Sequence, residues 1–322
     1  MKAIRVHEQG GPENLALDDL PVPEPAKDDL LIRIDAAGLN YIDTYHRSGL
    51  YPLDFPITLG LEGGGTVEKV GDDVNGFEAG DRVGWGTCQG SYAEYIAAPA
   101  AKVVKLPEDV TTEQAAAVML QGMTVHYLTH STYLLEAGKT ALVHAAAGGV
   151  GLLMVQVAKK LGATVIGTAG TAEKAELAKA AGADEVILYT EQDFEAETRR
   201  LTEGAGVDVA YDSVGKATWE GSMNSLKPRG YLVLFGNASG PVPPIDPLIL
   251  TQKGSLFLTR PNLMGYTLTR DELDQRAGDI LRWVGDGSLD LRIDRRVQLA
   301  EAADAHRALE SRDTKGKVLI VP

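Results

Sequence analysis

One cysteine, Cys88, occurs among 322 residues, so no disulfide can form within the chain. Cations are also short: 31 Lys and Arg stand against 45 Asp and Glu, for a formal net charge of −14. Without surplus cations to neutralise phosphates, nucleic acid and anionic membrane surfaces are excluded as natural partners. No apolar run approaches the roughly 20 residues of a membrane-spanning helix, and the opening MKAIRVHEQGG has no signal-peptide core. The expected setting is a reducing cytosol. There is no GxSxG elbow, and Cys88 has no evident His partner, so hydrolase chemistry has no nucleophile to start from. Metal ligands are equally scarce. His126 and His130 stand four apart, a spacing that can bind zinc, but no Glu makes them HExxH and no third ligand is evident. They are expected to be packing or surface histidines, and no metal is expected.

What the chain does have is KTALVHAAAGGVGLLMVQVAKKLGATVIGT at residues 139–168, which reads strand, glycine turn, helix, strand. Val150, Leu153, Met154, Val157 and Leu161 fall on one helix face. Lys159 and Lys160 suit the helix C-terminus, and Gly162 is the expected left-handed stop. In the turn, Ala146 replaces the first glycine of GxGxxG, while Gly148 and Gly151 are kept. Between a buried strand and an amphipathic helix, such a turn presents backbone N–H groups to a pyrophosphate.

Before this unit, β-like runs at 2–6, 30–36, 65–70, 82–84, 93–97 and 103–106 alternate with Gly, Pro and Asp clusters, as in a compact, partly antiparallel β-domain or barrel. A helix is expected from Thr111, with Gln114 completing a capping box. After the glycine unit, helices at 172–181, 194–202 and 219–226 alternate with strands at 186–189, 207–212, 231–236 and 256–259. That alternation implies a doubly wound parallel sheet. From about Thr269 two more helices and two strands follow, ending in KVLIVP.

NAD-binding sheets of this kind carry an acidic residue about 20 residues past the glycine turn, for the ribose hydroxyls. Here no acidic residue lies between Leu152 and Ala172, and the strand runs into Gly170, Thr171 and Lys174. A missing carboxylate and an added ammonium favour a 2′-phosphate, hence NADPH; Glu173 is the residue that could serve a ribose instead. In the first domain, GLNYIDTYHRSGLYP at 38–52 gathers Asn40, Tyr41, Tyr45 and Tyr51. Tyrosines of this kind suit a planar ligand and half-buried packing equally well.

Those stretches, with AGDRV at 79–83, YDSVG at 211–215, FGNASG at 235–240 and QKGSLFLTRP at 252–261, resemble the medium-chain dehydrogenase/reductase superfamily in its zinc-free NADPH:quinone oxidoreductase, zeta-crystallin-like branch. Zinc-dependent relatives have Cys where this chain has Asn40, and GHE where it has Gly60, Leu61 and Glu62. The resemblance implies an α/β chain. A GroES-like, partly open β-barrel substrate domain would span 1–121 and be completed by 265–322, with a Rossmann domain at 122–264. It places nicotinamide in a cleft near Asn40, Tyr45 and Thr124, and pyrophosphate at Gly148, Gly149 and Val150. Adenosine would meet Gly170, Thr171, Lys174 and Tyr189, with Ser213, Phe235, Gly236, Asn237 and Arg312 at further cofactor contacts. Asn40, Tyr45 and Tyr51 would position substrate with no clear general acid. A homodimer is expected through residues 255–260, an edge unprotected in a monomer. The expected activity is cytosolic, NADPH-dependent quinone reduction. Reduction of activated alkenes (enones or enoyl thioesters) and a structural, crystallin-like nucleotide-binding role are the alternatives.

Overall fold

The computed structural model describes all 322 residues. In chain order it runs β1 (Lys2–Val6), β2 (Leu15–Asp19), β3 (Asp29–Gly38), α1 (Tyr41–Ser48), β4 (Ile57–Thr58), β5 (Glu62–Val70), β6 (Arg82–Trp85), β7 (Tyr95–Pro99) and β8 (Val104–Lys105), then α2 (Thr112–Tyr127). Next come β9 (Thr140–Val143), α3 (Gly149–Lys160), β10 (Thr164–Ala169), α4 (Ala172–Ala180), β11 (Glu185–Leu188), α5 (Phe194–Leu201), β12 (Val207–Asp212), α6 (Trp219–Asn224), β13 (Leu226–Leu234), α7 (Leu248–Gln252) and β14 (Phe257–Thr259). The chain closes with α8 (Arg270–Gly285), β15 (Ile293–Gln298), α9 (Ala302–Glu310) and β16 (Lys317–Val321). Two compact units result, Met1–Met123 with Tyr266–Pro322, and Thr124–Gly265. No helix is long and apolar enough to cross a membrane.

In the first unit the sheet β15-β16-β3-β5-β6-β8 has β7 added on β3, and a small sheet β2-β1-β4 stands beside it. Alternation in β3 turns Leu30, Ile32 and Ile34 into a core with Val67, Val83, Trp85 and Ile96. The C-terminal return supplies Leu299, Val318 and Ile320 to a second cluster with Ile4, Val6, Leu59 and Tyr92. β16 pairs with β3 through Leu319↔Gly38 and Ile320↔Ala37, so the last strand completes the first unit's sheet. The second unit is a six-stranded parallel sheet, β11-β10-β9-β12-β13-β14. The chain winds outward from β9 to β11, returns to β12 beside β9, and winds out the other way. The carboxyl ends of β9 and β12 therefore flank the switch point, where such sheets bind ligands.

α2 opens on the expected box, Gln114 N donating to Thr111 Oγ1 and Thr111 N to Gln114 Oε1. Gly162, at φ 80°, ends α3. Four elements lay outside the sequence reading: the short β4 and α7, and β2 and α1. β2 is a half-exposed strand with little apolar contrast between its faces. α1 is an eight-residue helix with residues of modest helix propensity, Tyr, Ile and Thr, among its first five. Its ends hold it: Asn40 N donates to Asp43 Oδ2 at 2.8 Å, and Gly49 closes it at φ 76°.

Candidate functional site

The glycine turn is shaped by a residue that is not glycine. Ala145 takes φ 52°, an uncommon conformation for a residue with a β-carbon. That twist points its carbonyl into the turn, where it accepts from Gly148 N at 2.8 Å. A β-carbon on Gly151 would lie 2.2 Å from the same oxygen, so the turn closes only with glycine there. Gly148 caps α3, and Gly149 and Val150 are its first two residues. Their N–H groups have no acceptor within the helix and sit at its positive end. Such a turn is shaped to seat a pyrophosphate.

Past β10 the structure brings together Gly170, Thr171, Lys174 and Tyr189. Thr171 caps α4 by accepting from Lys174 N at 3.3 Å. The Tyr189 hydroxyl lies over Gly170, 2.5 Å from where a β-carbon would stand, with the residue 41% exposed. Thr190 Oγ1 donates to Gly170 O at 3.2 Å. No carboxylate ends β10; Glu173 lies exposed in the first turn of α4. At the ends of β12 and β13, Phe235 N donates to Asp212 O at 2.9 Å and Ala238 N to Ser213 O at 3.2 Å. A β-carbon on Gly236 would stand 2.3 Å from Ser213 O. Ser213, Phe235, Gly236 and Asn237 therefore form one loop cluster. Thr124 is buried on α2 at the start of this second unit. Arg312 is in the first unit, exposed on the turn after α9 at φ 63°.

The first unit holds the tyrosines. Tyr45 is buried on α1, 6.1 Å from the Tyr41 ring and 5.2 Å, edge-on, from Tyr51. Tyr51 N donates to Tyr45 O at 3.1 Å, fixing the turn that carries the second ring. Asn40, at the helix cap, is 4% exposed and its amide is fully engaged. Nδ2 donates to Gly38 O at 3.0 Å and Glu62 Oε2 at 2.8 Å, while Oδ1 accepts from Gln121 Nε2 at 3.1 Å and Lys317 Nζ at 3.0 Å. Both protons and both lone pairs are used. Asn40 therefore offers a ligand shape, not hydrogen bonds. Glu62 forms a buried ion pair with Lys317 and accepts from Leu120 N at 2.7 Å.

A second buried network backs α1. Arg47 donates to His306 Nδ1 at 2.9 Å and bonds Glu310 at 2.6 Å; the Tyr92 hydroxyl donates to Asp43 Oδ2 at 2.8 Å. Burial, reinforced by the Arg47 charge, pushes His306 down to about 3, so it stays a neutral acceptor. Desolvation raises Asp43 to about 7 against its hydrogen bonds from Asn40 N and Tyr92. Its Oδ1 is buried without a partner, which suits a neutral carboxyl.

His126 and His130 stack 4.4 Å apart, and His130 Nδ1 is within 2.8 Å of Thr129 Oγ1. No three His, Cys, Asp or Glu side chains are placed to hold a metal. Cys88 is buried, its thiol pushed up to about 12 by desolvation. A cavity of about 320 Å³ opens at the amino ends of the parallel strands, between Thr140, Thr164, Glu185 and Asp208. The buried carboxylate in its wall, Asp208, is already paired with Lys227 and Lys139. It also lies at the opposite end of the sheet from the glycine turn. The sequence reading passed over Lys317, Gln121, Tyr92 and His306, and, in the second unit, His144, Thr168 and Ser222. The readable signals were a lysine heading the otherwise apolar KVLIV and a histidine inside the apolar run before the turn.

Two family models match, an alcohol dehydrogenase GroES-like domain over residues 26–108 and a zinc-binding dehydrogenase over 149–282. A quinone oxidoreductase of Pseudomonas aeruginosa is 47% identical, covering 100% of this chain and 99% of its own length. A 2-haloacrylate reductase of Burkholderia is 41% identical, over 99% of this chain and 98% of its own. The solved Escherichia coli quinone oxidoreductase complexed with NADPH superposes with a TM-score of 0.98, at 44% identity and full coverage of both chains.

Proposed function

This chain belongs to the quinone oxidoreductase family of the medium-chain dehydrogenases/reductases, and on that premise we propose that it is an enzyme that reduces quinones with NADPH. The seat fits the cofactor on its own geometry: a turn that only glycine at 151 allows, N–H groups of Gly149 and Val150 with no acceptor in the helix, and Lys174 in the first turn of α4 with no acidic residue at the end of β10. NADPH, when bound, supplies the reducing equivalents. Gly149 and Val150 hold its pyrophosphate, and Gly170, Thr171, Lys174 and Tyr189 its adenosine end. Ser213, Phe235, Gly236, Asn237, Thr124 and Arg312 are assigned as further contacts. The protein's part is to orient the ring and exclude water.

The observation that carries the quinone reading is the tyrosine trio of α1 and its following turn, beside an Asn40 with nothing left to coordinate or donate. Tyr51, partly exposed and backed edge-on by the buried Tyr45 ring, offers ring surface to a planar, electron-poor acceptor that does not need a dedicated acid. A metal-free, cytosolic homodimer is part of the proposal. The likeness to a 2-haloacrylate reductase favours a second reading, reduction of activated alkenes. NADPH consumption against a panel of quinones, enones and haloacrylates decides. Faster turnover of quinones at matched concentration supports the first reading. Turnover confined to alkenes overturns it, and no turnover of either class favours a structural, crystallin-like role.

A further inference from the structure

A buried chain of side chains joins the two halves of the dinucleotide seat. His144 follows β9 directly, and both ring nitrogens are engaged: Nδ1 is 3.1 Å from Thr168 Oγ1 and Nε2 is 2.9 Å from Ser222 Oγ. Ser222 donates to Asp212 Oδ2 at 2.8 Å, so its one proton is spent and it can only accept from the histidine. Nε2 therefore carries the imidazole proton. Nδ1 is then an acceptor, and Thr168 must give it its hydroxyl proton while accepting the Ala145 N–H at 3.3 Å. At the far end, Asp212 Oδ1 accepts from Val214 N at 2.8 Å, Gly215 N at 2.9 Å and Thr218 Oγ1 at 2.9 Å.

Every donor from Ala145 to Asp212 points the same way, and reversing any one leaves a buried polar atom unpaired. Thr168, His144, Ser222 and Asp212 are all buried. The chain starts on Ala145, whose left-handed backbone shapes the glycine turn, and ends on the loop that carries Ser213. These lie on opposite sides of the β9/β12 switch point, just past the last backbone bond between the two strands, His144 N to Tyr211 O at 3.1 Å. Burial holds the His144 pKa below the usual histidine value, against the pull of Asp212. The Phe194 ring closes the pocket edge-on at 4.9 Å.

We propose that Thr168, His144 and Ser222 are positioning residues that hold the glycine turn and the Ser213 loop at the spacing a dinucleotide needs, without touching it. The proposal rests on the reading that NADPH binds at this turn. Because the chain acts on the shared seat and not on the 2′-phosphate, its loss weakens NADPH and NADH alike. Residues that touch no ligand commonly shift binding by about 0.5–2 kcal/mol, so Thr168→Val should raise both dissociation constants roughly 2- to 30-fold. Thr168→Ser, which keeps the hydroxyl, should restore wild-type affinity. Ser222→Ala breaks the chain at its other joint and should give the same non-selective loss. The double variant should fall well short of the sum.

Fluorescence titration of NADPH and NADH reads these affinities independently of turnover. Nitrogen NMR of the imidazole in the ligand-free wild type reads the tautomer, expected to be Nε2–H. Unchanged affinity in folded Thr168→Val or Ser222→Ala, a loss confined to NADPH, or an Nδ1–H or doubly protonated imidazole would each overturn the proposal. Should Thr168→Val fail to fold, Ser222→Ala and the wild-type tautomer still decide it. A wild type with the Nε2–H tautomer that binds neither dinucleotide refutes the cofactor reading instead, and with it the positioning role.

Discussion

Lys317→Met tests how α1 is held under the tyrosines. The Lys317 side chain is 4% exposed and that of Glu62 fully buried. Glu62 receives three donors: Lys317 Nζ, Leu120 N and Asn40 Nδ2. Methionine keeps most of the lysine's apolar stem but removes the ammonium, leaving a buried carboxylate with two neutral donors. Breaking such a pair from one side costs about 3–5 kcal/mol, because the surviving charge has nothing to balance it. In a unit of this size that corresponds to a fall of roughly 6–20 °C in its melting temperature. Adding Glu62→Gln removes the stranded charge, so the double variant should be more stable than Lys317→Met alone. Calorimetry and urea titration of the three proteins make the comparison. A single-variant loss below about 1 kcal/mol, or a double variant no better than Lys317→Met, would show that the pair does not hold α1 in place.

Lys174→Ala should weaken NADPH about ten- to hundredfold, the worth of a charged hydrogen bond, and leave NADH nearly unchanged by titration. Equal losses would place the lysine's effect on folding or on the shared pyrophosphate. Tyr45→Phe and Tyr51→Phe should each cost less than about tenfold in turnover, short of the 10²–10⁴-fold of a lost general acid; a thousandfold fall with intact NADPH binding would move the assignment to alkene reduction. Asp43 keeps its proton to about 7 in the fold but releases it near 3.8 when unfolded. It therefore destabilises the fold increasingly as pH rises between those values, by up to about 1.4 kcal/mol per unit. His306, held near 3 against 6.5, acts in the opposite sense across most of that window. Asp43→Asn should thus gain stability relative to wild type as pH rises from 4 to 7, and a pH-independent difference in urea midpoint would refute this. Light scattering at micromolar concentration should find a homodimer, because β14 presents a free strand edge with Phe257 49% exposed and stacked 4.4 Å from Tyr231; a monomer would refute it.

What could be read from sequence was what is local. The glycine turn, α3 and its Gly162 stop are encoded within thirty consecutive residues; of the apolar face read there Leu153, Met154 and Val157 are buried, but so are Leu152, Val155 and Ala158, so α3 is covered on more than one side. The parallel sheet followed from the same alternation repeated. α1 escaped because eight residues hold barely two turns, and the Tyr, Ile and Thr among them favour strands as readily as helices. Its signal was the Asn40-x-x-Asp43 cap and the closing Gly49, legible only once a helix was suspected. Asn40 was named as a candidate site residue, but its place in the fold is set by partners at positions 38, 62, 121 and 317, which no local pattern joins.

Both candidate regions are built on the same physical plan. An irregular segment, the turn at Ala145 or the cap at Asn40, is held by a backbone N–H given to a buried side chain: Thr168 Oγ1 in one case and Asp43 Oδ2 in the other. That side chain is in turn fixed by groups from distant strands and helices. Backbone bonds such as Ala146 N to Thr168 O and Leu39 N to Val318 O anchor the neighbouring residues, and the side-chain networks add to them where regular pairing stops. A buried polar chain resists shifts of the segment, since a small displacement leaves a donor or acceptor without a partner, at about 1–3 kcal/mol each. Apolar packing around the same segments would accept sliding at much lower cost. At the two segments proposed to meet a ligand, such networks hold atoms in the fixed positions that a binding site requires.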